Sequence, residues 1–308
     1  MSYQLLTYRT ALHPRAGLLI DGRVYDAAEV TENDVYATVL GALEDWDAAQ
    51  PAFERAVVSV ARSGRASFAL AETLLEAPVL YPGAIYGAGA NYLDHVQEMN
   101  HALGLDDGPT LKDAGEQPWH FLKSGRSCVV GPDSMVALPA YSQAIDWEIE
   151  LVAVMGRTAK NVCVDVALDY VAGYTIANDL SSRDTLKRQK TPSSNPFSTD
   201  WVSAKNFDGA CPIGPYITPA KAVPDPQRLA MKLWVGDELM QDSSTSQMIF
   251  SIAEQIAALS SRVSLQPGDL ILTGTPAGVG VPRQRFLKPG ESVRLWIERI
   301  GEFSHRLL

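Results

Sequence analysis

Between residues 145 and 154 polar and apolar positions alternate. Ile145, Trp147, Ile149, Leu151 and Ala153 fall on one side, and Asp146, Glu148 and Glu150 on the other, before the run closes on Leu-Val-Ala-Val-Met. A period of two is that of a β-strand. Both glutamates therefore point the same way, with Asp146 behind them, at the mouth of a segment that wants burial. Short stretches rich in β-branched residues recur at 84–87, 162–164, 171–176, 229–235, 269–273 and 292–297, set off by Gly and Pro. Residues 17–26 read as a hairpin turning at Asp21-Gly22. Helical spacing is rarer. It predicts helices over 35–48, 51–63 and 248–259, and a short helix or turn over 91–99. Together these elements predict a β-rich α+β fold. It divides into a small N-terminal α/β domain at 1–78 and a main domain at 79–308. Residues 187–200 read as a long polar loop, of the kind that often binds or covers a ligand.

Composition narrows the function. The 308 residues are 46% hydrophobic, an ordinary figure for a soluble globular protein, and carry a formal net charge of −10. That charge argues against nonspecific nucleic-acid binding, which needs a basic surface. It leaves anionic substrates open, because a metal and a few lysines can reverse a local field. The three cysteines, Cys128, Cys163 and Cys211, match no zinc spacing and read as buried thiols in a reducing compartment. The first residues lack the apolar core of a signal peptide, and no apolar run reaches membrane-spanning length. The expectation is a cytoplasmic protein with no membrane and no nucleic-acid partner.

Two glutamates side by side in a buried setting repel each other unless a cation lies between them, and a divalent ion with oxygen ligands suits that need. The same residues would also suit a solvated strand face. Asp179, at the exit of the apolar stretch 173–178, would complete a three-carboxylate set, or would cap a turn with Ser181 and Ser182. His95 and Glu98 stand three apart, so on a helix they share a face. They read as an imidazole base oriented by a carboxylate, or as a surface ion pair. Lys123 and Lys205 follow apolar or small residues and would either bind a carboxylate or oxyanion or lie solvated. The run Thr273-Gly274-Thr275-Pro276-Ala277-Gly278-Val279-Gly280 can hold an anion on its N–H groups or form a plain turn. It lacks the Gly-Lys-Ser/Thr of a phosphate loop.

Taken in order, several blocks resemble the fumarylacetoacetate hydrolase superfamily over roughly residues 80–300. They are Tyr86 to His95, Phe121-Leu122-Lys123, Asp146-Trp147-Glu148-Ile149-Glu150, Gly173 to Asp184, Lys205 to Asp208, Cys211 to Pro215, Ser246 to Phe250, and Leu272 to Gly280. The resemblance implies a mixed β-sandwich roll behind a variable N-terminal domain, in a homodimer. It implies Mg²⁺ or Mn²⁺, with Ca²⁺ as a further candidate, on Glu148, Glu150 and Asp179. It makes His95 and Glu98 a water-activating dyad on a lid and Lys205 the oxyanion donor. Lys123, Arg183, Thr275, Gly274 and Tyr92 would bind substrate, with Arg183 also buttressing the metal loop. The implied activity is hydrolysis of a C–C bond in a 1,3-diketo acid such as an acylpyruvate. Alternatives on the same site are oxaloacetate-type decarboxylation, isomerisation, or dehydration of 2-keto-3-deoxy sugar acids; a non-catalytic keto-acid binder is a further one. Two features depart from the family pattern. Leu186 stands where many relatives carry a substrate-contacting Gln, and the segment between Met99 and Phe121 is long. Pro196, Phe197 and Trp201 read as an apolar wall for the acyl group.

Overall fold

The computed structural model describes residues 2–63 and 65–308. Strands β1 (Gln4–Tyr8), β2 (Arg15–Ile20), β3 (Arg23–Asp26) and β4 (Phe68–Ala69) come from the N-terminal quarter. They are followed by β5 (Ile85–Ala88), β6 (His120–Lys123), β7 (Val129–Val130), β8 (Met135–Val136), β9 (Ile145–Asp146), β10 (Ile149–Met155), β11 (Val171–Asn178), β12 (Ser181–Ser182) and β13 (Cys211–Pro219). The last are β14 (Ala230–Val235), β15 (Glu238–Ser244), β16 (Leu270–Leu272), β17 (Ser292–Ile297) and β18 (Gly301–Leu307). The α-helices are α1 (Ala27–Thr31), α2 (Val39–Glu44), α3 (Trp46–Ser63), α4 (Leu93–Ala102), α5 (Trp201–Lys205) and α6 (Ile252–Arg262). The β-rich α+β expectation holds.

One long sheet runs in the order β4-β3-β2-β1-β13-β11-β10-β16-β5-β6, and a five-stranded sheet runs β15-β14-β17-β18-β8. The N-terminal strands thus continue the first sheet, through β1 against β13 at Leu5 and Ile217. Every residue of β10 is buried, because β11 and β16 flank it and layers cover both its faces. Its period of two survives as a division between two cores. Ile149, Leu151, Ala153 and Met155 pack with Met231, Leu233, Val293 and Leu295 of the second sheet. Val152 and Val154 pack with Trp46, Phe53 and other residues of the N-terminal helices. Each such Val, Leu, Ile, Met or Phe side chain, fully buried, contributes about 1.5–3 kcal/mol. Glu150 lies on the Val152 side by the same alternation, and this sets the direction of the site.

Local chemistry explains where expectation and structure differ. Asp21 and Gly22 both have positive φ, 48° and 77°, as a tight two-residue hairpin turn requires. The helix expected at 35–48 is split, because Thr38 caps α2 by accepting from Gly41 N, and α3 starts at Trp46 rather than at 51. α6 starts at Ile252, after the N-cap Ser251 whose capping box with Glu254 fixes the first turn, so residues 248–250 lie outside it. The strand expected at 162–164 is absent. Asn161 N and Val162 N donate to Ser260 of α6, and Val164–Tyr170 coil into a 3₁₀ segment. Cys128 and Cys211 are buried, whereas Cys163 is exposed, so the reading of three buried thiols fails for that one. No helix among the described residues is long and apolar enough to cross a membrane.

Candidate metal centre

The strand read through residues 145–154 is interrupted at Trp147 and Glu148, between β9 and β10. Asn178, the last residue of β11, fills the break. Its side-chain oxygen accepts from Glu148 N (2.9 Å), and Asp179 N donates to Glu148 O (2.9 Å). The two chain ends are thereby tied together, and Glu148, Glu150 and Asp179 each bring a carboxylate oxygen within 4.8 Å of the others. All three residues are buried.

Three cations share this buried charge. Lys205 Nζ donates to Glu148 Oε2 (2.7 Å) and Asp179 Oδ2 (2.6 Å). Lys123 Nζ lies 2.7 Å from Asp179 Oδ1. Arg183 donates from Nε to Asp146 (2.9 Å) and from Nη2 to Glu148 Oε1 (2.6 Å). Burial alone would raise the pKa of Glu148, but Lys205 and Arg183 outweigh it and hold the group at about 2. Glu150 is left out. Burial, with Asp179 and Glu148 close by, pushes it well above the ordinary carboxylate range. A buried carboxylate that must otherwise take a proton, beside two more carboxylates, is what an oxygen-liganded divalent cation would resolve. The donor set is hard oxygen throughout, which suits Mg²⁺, Mn²⁺ or Ca²⁺.

Above the carboxylates lies a cavity of about 180 Å³, lined among others by His95, Trp119, Phe121, Trp201, Lys205 and Thr275. His95 sits in α4. Burial, then Arg183, lowers its pKa to about 4, so the ring is neutral at pH 7. Its Nδ1 is buried without a hydrogen-bond partner among the described residues. Glu98 does not orient it. The Glu98 carboxylate accepts from Gly278 N (2.8 Å) instead, and Asp94 accepts from Ser243 Oγ (2.5 Å), so two side chains tie α4 to the glycine-rich run and to β15. The glycine-rich run holds the protein's own carboxylates. Gly274 N donates to Glu150 (2.6 Å), Gly278 N to Glu98 and Gly280 N to Asp146 (2.6 Å).

A family model described as fumarylacetoacetate (FAA) hydrolase C-terminal matches residues 84–308. The chain belongs to this family. Human oxaloacetate tautomerase FAHD2B, mitochondrial, is 37% identical over 259 residues, covering 82% of this chain and 76% of that protein. Maleylpyruvate hydrolase from Sphingobium sp. SYK-6, solved with manganese(II) and pyruvate, superposes with TM-score 0.75 at 31% identity over 99% of this chain and 98% of that one. Fumarylacetoacetate hydrolase from Exiguobacterium antarcticum gives TM-score 0.76 at 27% identity over 99% of both chains.

The residues that the family resemblance singled out fall into two groups. Glu148, Glu150, Asp179, Arg183, Lys205, His95 and Thr275 converge on one place. Others stand back from the cavity. The Lys123 side chain is fully buried beneath Asp179, with further bonds to the carbonyls of Leu180 and Lys205. Tyr92 is a core residue whose hydroxyl meets Met231 Sδ at 3.4 Å. Gly274 offers its N–H to Glu150, not to a ligand. Leu186, Pro196 and Phe197 are not among the lining residues, and Phe197 is 74% exposed. Of the proposed apolar wall only Trp201 reaches the cavity, where Trp119 and Phe121 join it.

Three amides escaped the sequence reading. Asn178 bridges the strand break, and its position beside Asp179 was a usable signal. Gln241 of β15, fully buried, accepts from Ile149 N (3.0 Å) and donates to Thr275 Oγ1 (2.9 Å) and Pro276 O (2.9 Å). It thus locks the glycine-rich run to the residue between the two glutamates. Asn91 joins Phe250 to Thr273 O in the same way (2.8–3.0 Å). Nothing local in the sequence marks Gln241.

Proposed function

We propose that this chain is a divalent-metal-dependent enzyme that moves a proton between the keto and enol forms of a short 2-oxo acid of the oxaloacetate type. The observation that carries the reading is the separation of His95 from Glu98. The cavity offers one neutral imidazole with a free buried nitrogen, and the carboxylate that would pair with it to activate water is turned to Gly278 N. Enolisation needs one such base and no attacking water. The similarity to oxaloacetate tautomerases supports the same reading.

Glu148, Glu150 and Asp179 would hold Mg²⁺ or Mn²⁺, which when bound supplies Lewis-acid stabilisation of negative charge on the substrate's oxygens. His95 takes the proton from the carbon beside the carbonyl and delivers it to the enolate oxygen, and in the reverse direction carries it from that oxygen back to the carbon. Its depressed pKa keeps it unprotonated and ready at neutral pH. Lys205, held between Glu148 and Asp179, supplies positive charge where the enolate oxygen develops. Trp119, Phe121 and Trp201 put apolar rings along one side of the cavity, where charge is less screened than in bulk water and these contacts count for more. Free cysteines, one of them exposed, suit a cytoplasmic setting, and a homodimer is the assembly we propose.

A second reading has its own support. His95 and Glu98 lie one turn apart on α4, and the likeness to maleylpyruvate hydrolase covers the whole chain. If Glu98 released Gly278 N, it could orient His95 to take a proton from water. Hydroxide would then add to the distal carbonyl of a 1,3-diketo acid, and the C–C bond would break to a carboxylic acid and the enol of pyruvate. Proton NMR with oxaloacetate and acetylpyruvate, with Mn²⁺ or with EDTA, separates the readings. Faster keto–enol relaxation of oxaloacetate with the carbon chain intact supports the first. Release of acetate and pyruvate from acetylpyruvate supports the second, and pyruvate from oxaloacetate would mean decarboxylation. Rates with Mn²⁺ no higher than with EDTA would remove both metal-dependent readings.

A further inference from the structure

One side of the cavity is made of rings seated on bare backbone. β5 and β6 pair so that Gly87 lies opposite Phe121, and one step beyond, Gly89 N donates to Trp119 O (3.1 Å). Residues two apart share a face of a strand. A Cβ at Gly87 would come within 2.3 Å of the Phe121 ring, and one at Gly89 within 1.9 Å of the Trp119 indole. Both rings therefore occupy space that any other residue at those glycines would fill. Trp201 lies nearly parallel to Phe121 (centroids 5.6 Å apart, 9°) and edge-on to Trp119 (5.0 Å, 61°). One turn further along α5, Lys205 Nζ sits 4.7 Å over the Phe121 ring while it reaches Glu148 and Asp179. Rings, lysine and carboxylates form one packed body, and it cannot widen without disturbing the ion pairs.

The cavity, open to solvent on one side, measures about 180 Å³. It is well under the roughly 300–1,000 Å³ typical of sites for drug-sized ligands. We propose that Trp119, Phe121 and Trp201 are the specificity-determining wall of this site, limiting it to short aliphatic 2-oxo acids and turning away those with an aryl or long acyl end. The inference rests on the 2-oxo-acid reading above and adds the size of the distal group.

The test measures binding, so it does not depend on which reaction follows. Mn²⁺-loaded protein is titrated calorimetrically with pyruvate and with phenylpyruvate. The wild type should bind pyruvate at least about tenfold more tightly, since steric discrimination in a fitted pocket is of that order per added group. Trp119→Ala should bring the two affinities about tenfold closer by tightening phenylpyruvate. Gly89→Ala, which drives a methyl group into the Trp119 ring, should move the ratio away from the Trp119→Ala value. Phe197→Ala, on the exposed loop, should keep the wild-type ratio. If Trp119→Ala fails to fold, Trp201→Leu is read by the same ratio. Equal affinities in the wild type, or a ratio unmoved in a folded wall variant while pyruvate still binds, would overturn the wall alone. Binding of neither acid to the metal-loaded wild type would remove the 2-oxo-acid reading, and the wall with it.

Discussion

Two clusters of buried ion pairs, one around Asp26 and one at the metal centre, are built differently. In the N-terminal part, Asp26 meets a matched set. Tyr8 Oη donates to it at 2.8 Å, Arg15 Nη2 at 2.8 Å and Glu29 N at 3.1 Å, with Arg15 Nε closing a bidentate pair. Burial works to raise the Asp26 pKa, but Arg15 and Tyr8 outweigh it and leave it lowered. One carboxylate and one guanidinium cancel, and nothing more is wanted there. At the metal centre the four carboxylates Asp146, Glu148, Glu150 and Asp179 face three cations, Lys123, Arg183 and Lys205, so one negative charge is left over. The surplus appears on Glu150, whose pKa is pushed up. A balanced cluster fastens α1 to the first sheet; an unbalanced one is what a cation from outside the chain would neutralise.

Replacing the surplus charge should break this contrast most severely. Glu150→Gln removes the group that has no cation of its own, so the metal-free protein should melt no lower than wild type. Its Mn²⁺ affinity should nevertheless fall by more than about 100-fold, since even outer-shell changes cost 10–100-fold. Calorimetric titration and thermal melts read the two effects together, and wild-type Mn²⁺ affinity in this variant would end the ligand assignment. Lys205→Ala comes next. It should cost about 10²–10³ in turnover, the usual loss of an oxyanion donor, measured as keto–enol relaxation of oxaloacetate. An unchanged rate would confine Lys205 to charge balance. Asp26→Ala should act on stability instead. It strands the part-buried Arg15 and should cost about 3 kcal/mol in urea unfolding while Mn²⁺ affinity stays at the wild-type value. A matching loss of metal affinity would mean the two clusters are coupled after all.

Much of the metal centre was legible because local rules govern it. Period two puts Glu148 and Glu150 on one side, and the exit of β11 puts Asp179 next to them. The hairpin at Asp21-Gly22 was legible for the same reason, since both φ values follow from residue type. What stayed hidden depends on distant partners. Glu98 was read as the partner of His95, three residues away, but it bonds Gly278, 180 residues along the chain. Lys123 and Tyr92 belong to conspicuous motifs, yet burial beneath Asp179 and against Met231 decides what they touch. The β-branched 162–164 segment had the propensity for a strand, but α6 took its N–H groups. The glycine-rich run was read as an anion holder, and it is one; the anions are the chain's own carboxylates. The aromatic wall could have been suspected from Gly87 and Gly89 standing two apart, but only pairing with β6 shows which rings fill the space they leave.

His305 sharpens the comparison from the neutral side, with the smallest expected effect. It lies on β18, fully buried, and supports the metal centre at one remove. Asn178 presents its oxygen to Glu148 N, so its amide nitrogen donates to His305 Nε2 (2.9 Å), and that ring nitrogen must be unprotonated. Burial lowers the His305 pKa to about 3. An unfolded histidine titrates near 6.5. Above that pH neither state holds the extra proton, and the ring makes no pH-dependent difference. Between about 6.5 and 3 the unfolded chain binds a proton that the native ring refuses, so stability falls as the pH falls. From pH 7 to pH 5 this one group should remove about 2 kcal/mol. Urea unfolding at pH 7, 6 and 5 should therefore show a shallower decline in His305→Asn than in wild type, by about that amount, whatever the variant's stability at pH 7. Parallel declines would mean that the native ring accepts a proton beside Asn178. The support behind Glu148 would then carry charge, and the metal centre would no longer be short of one cation.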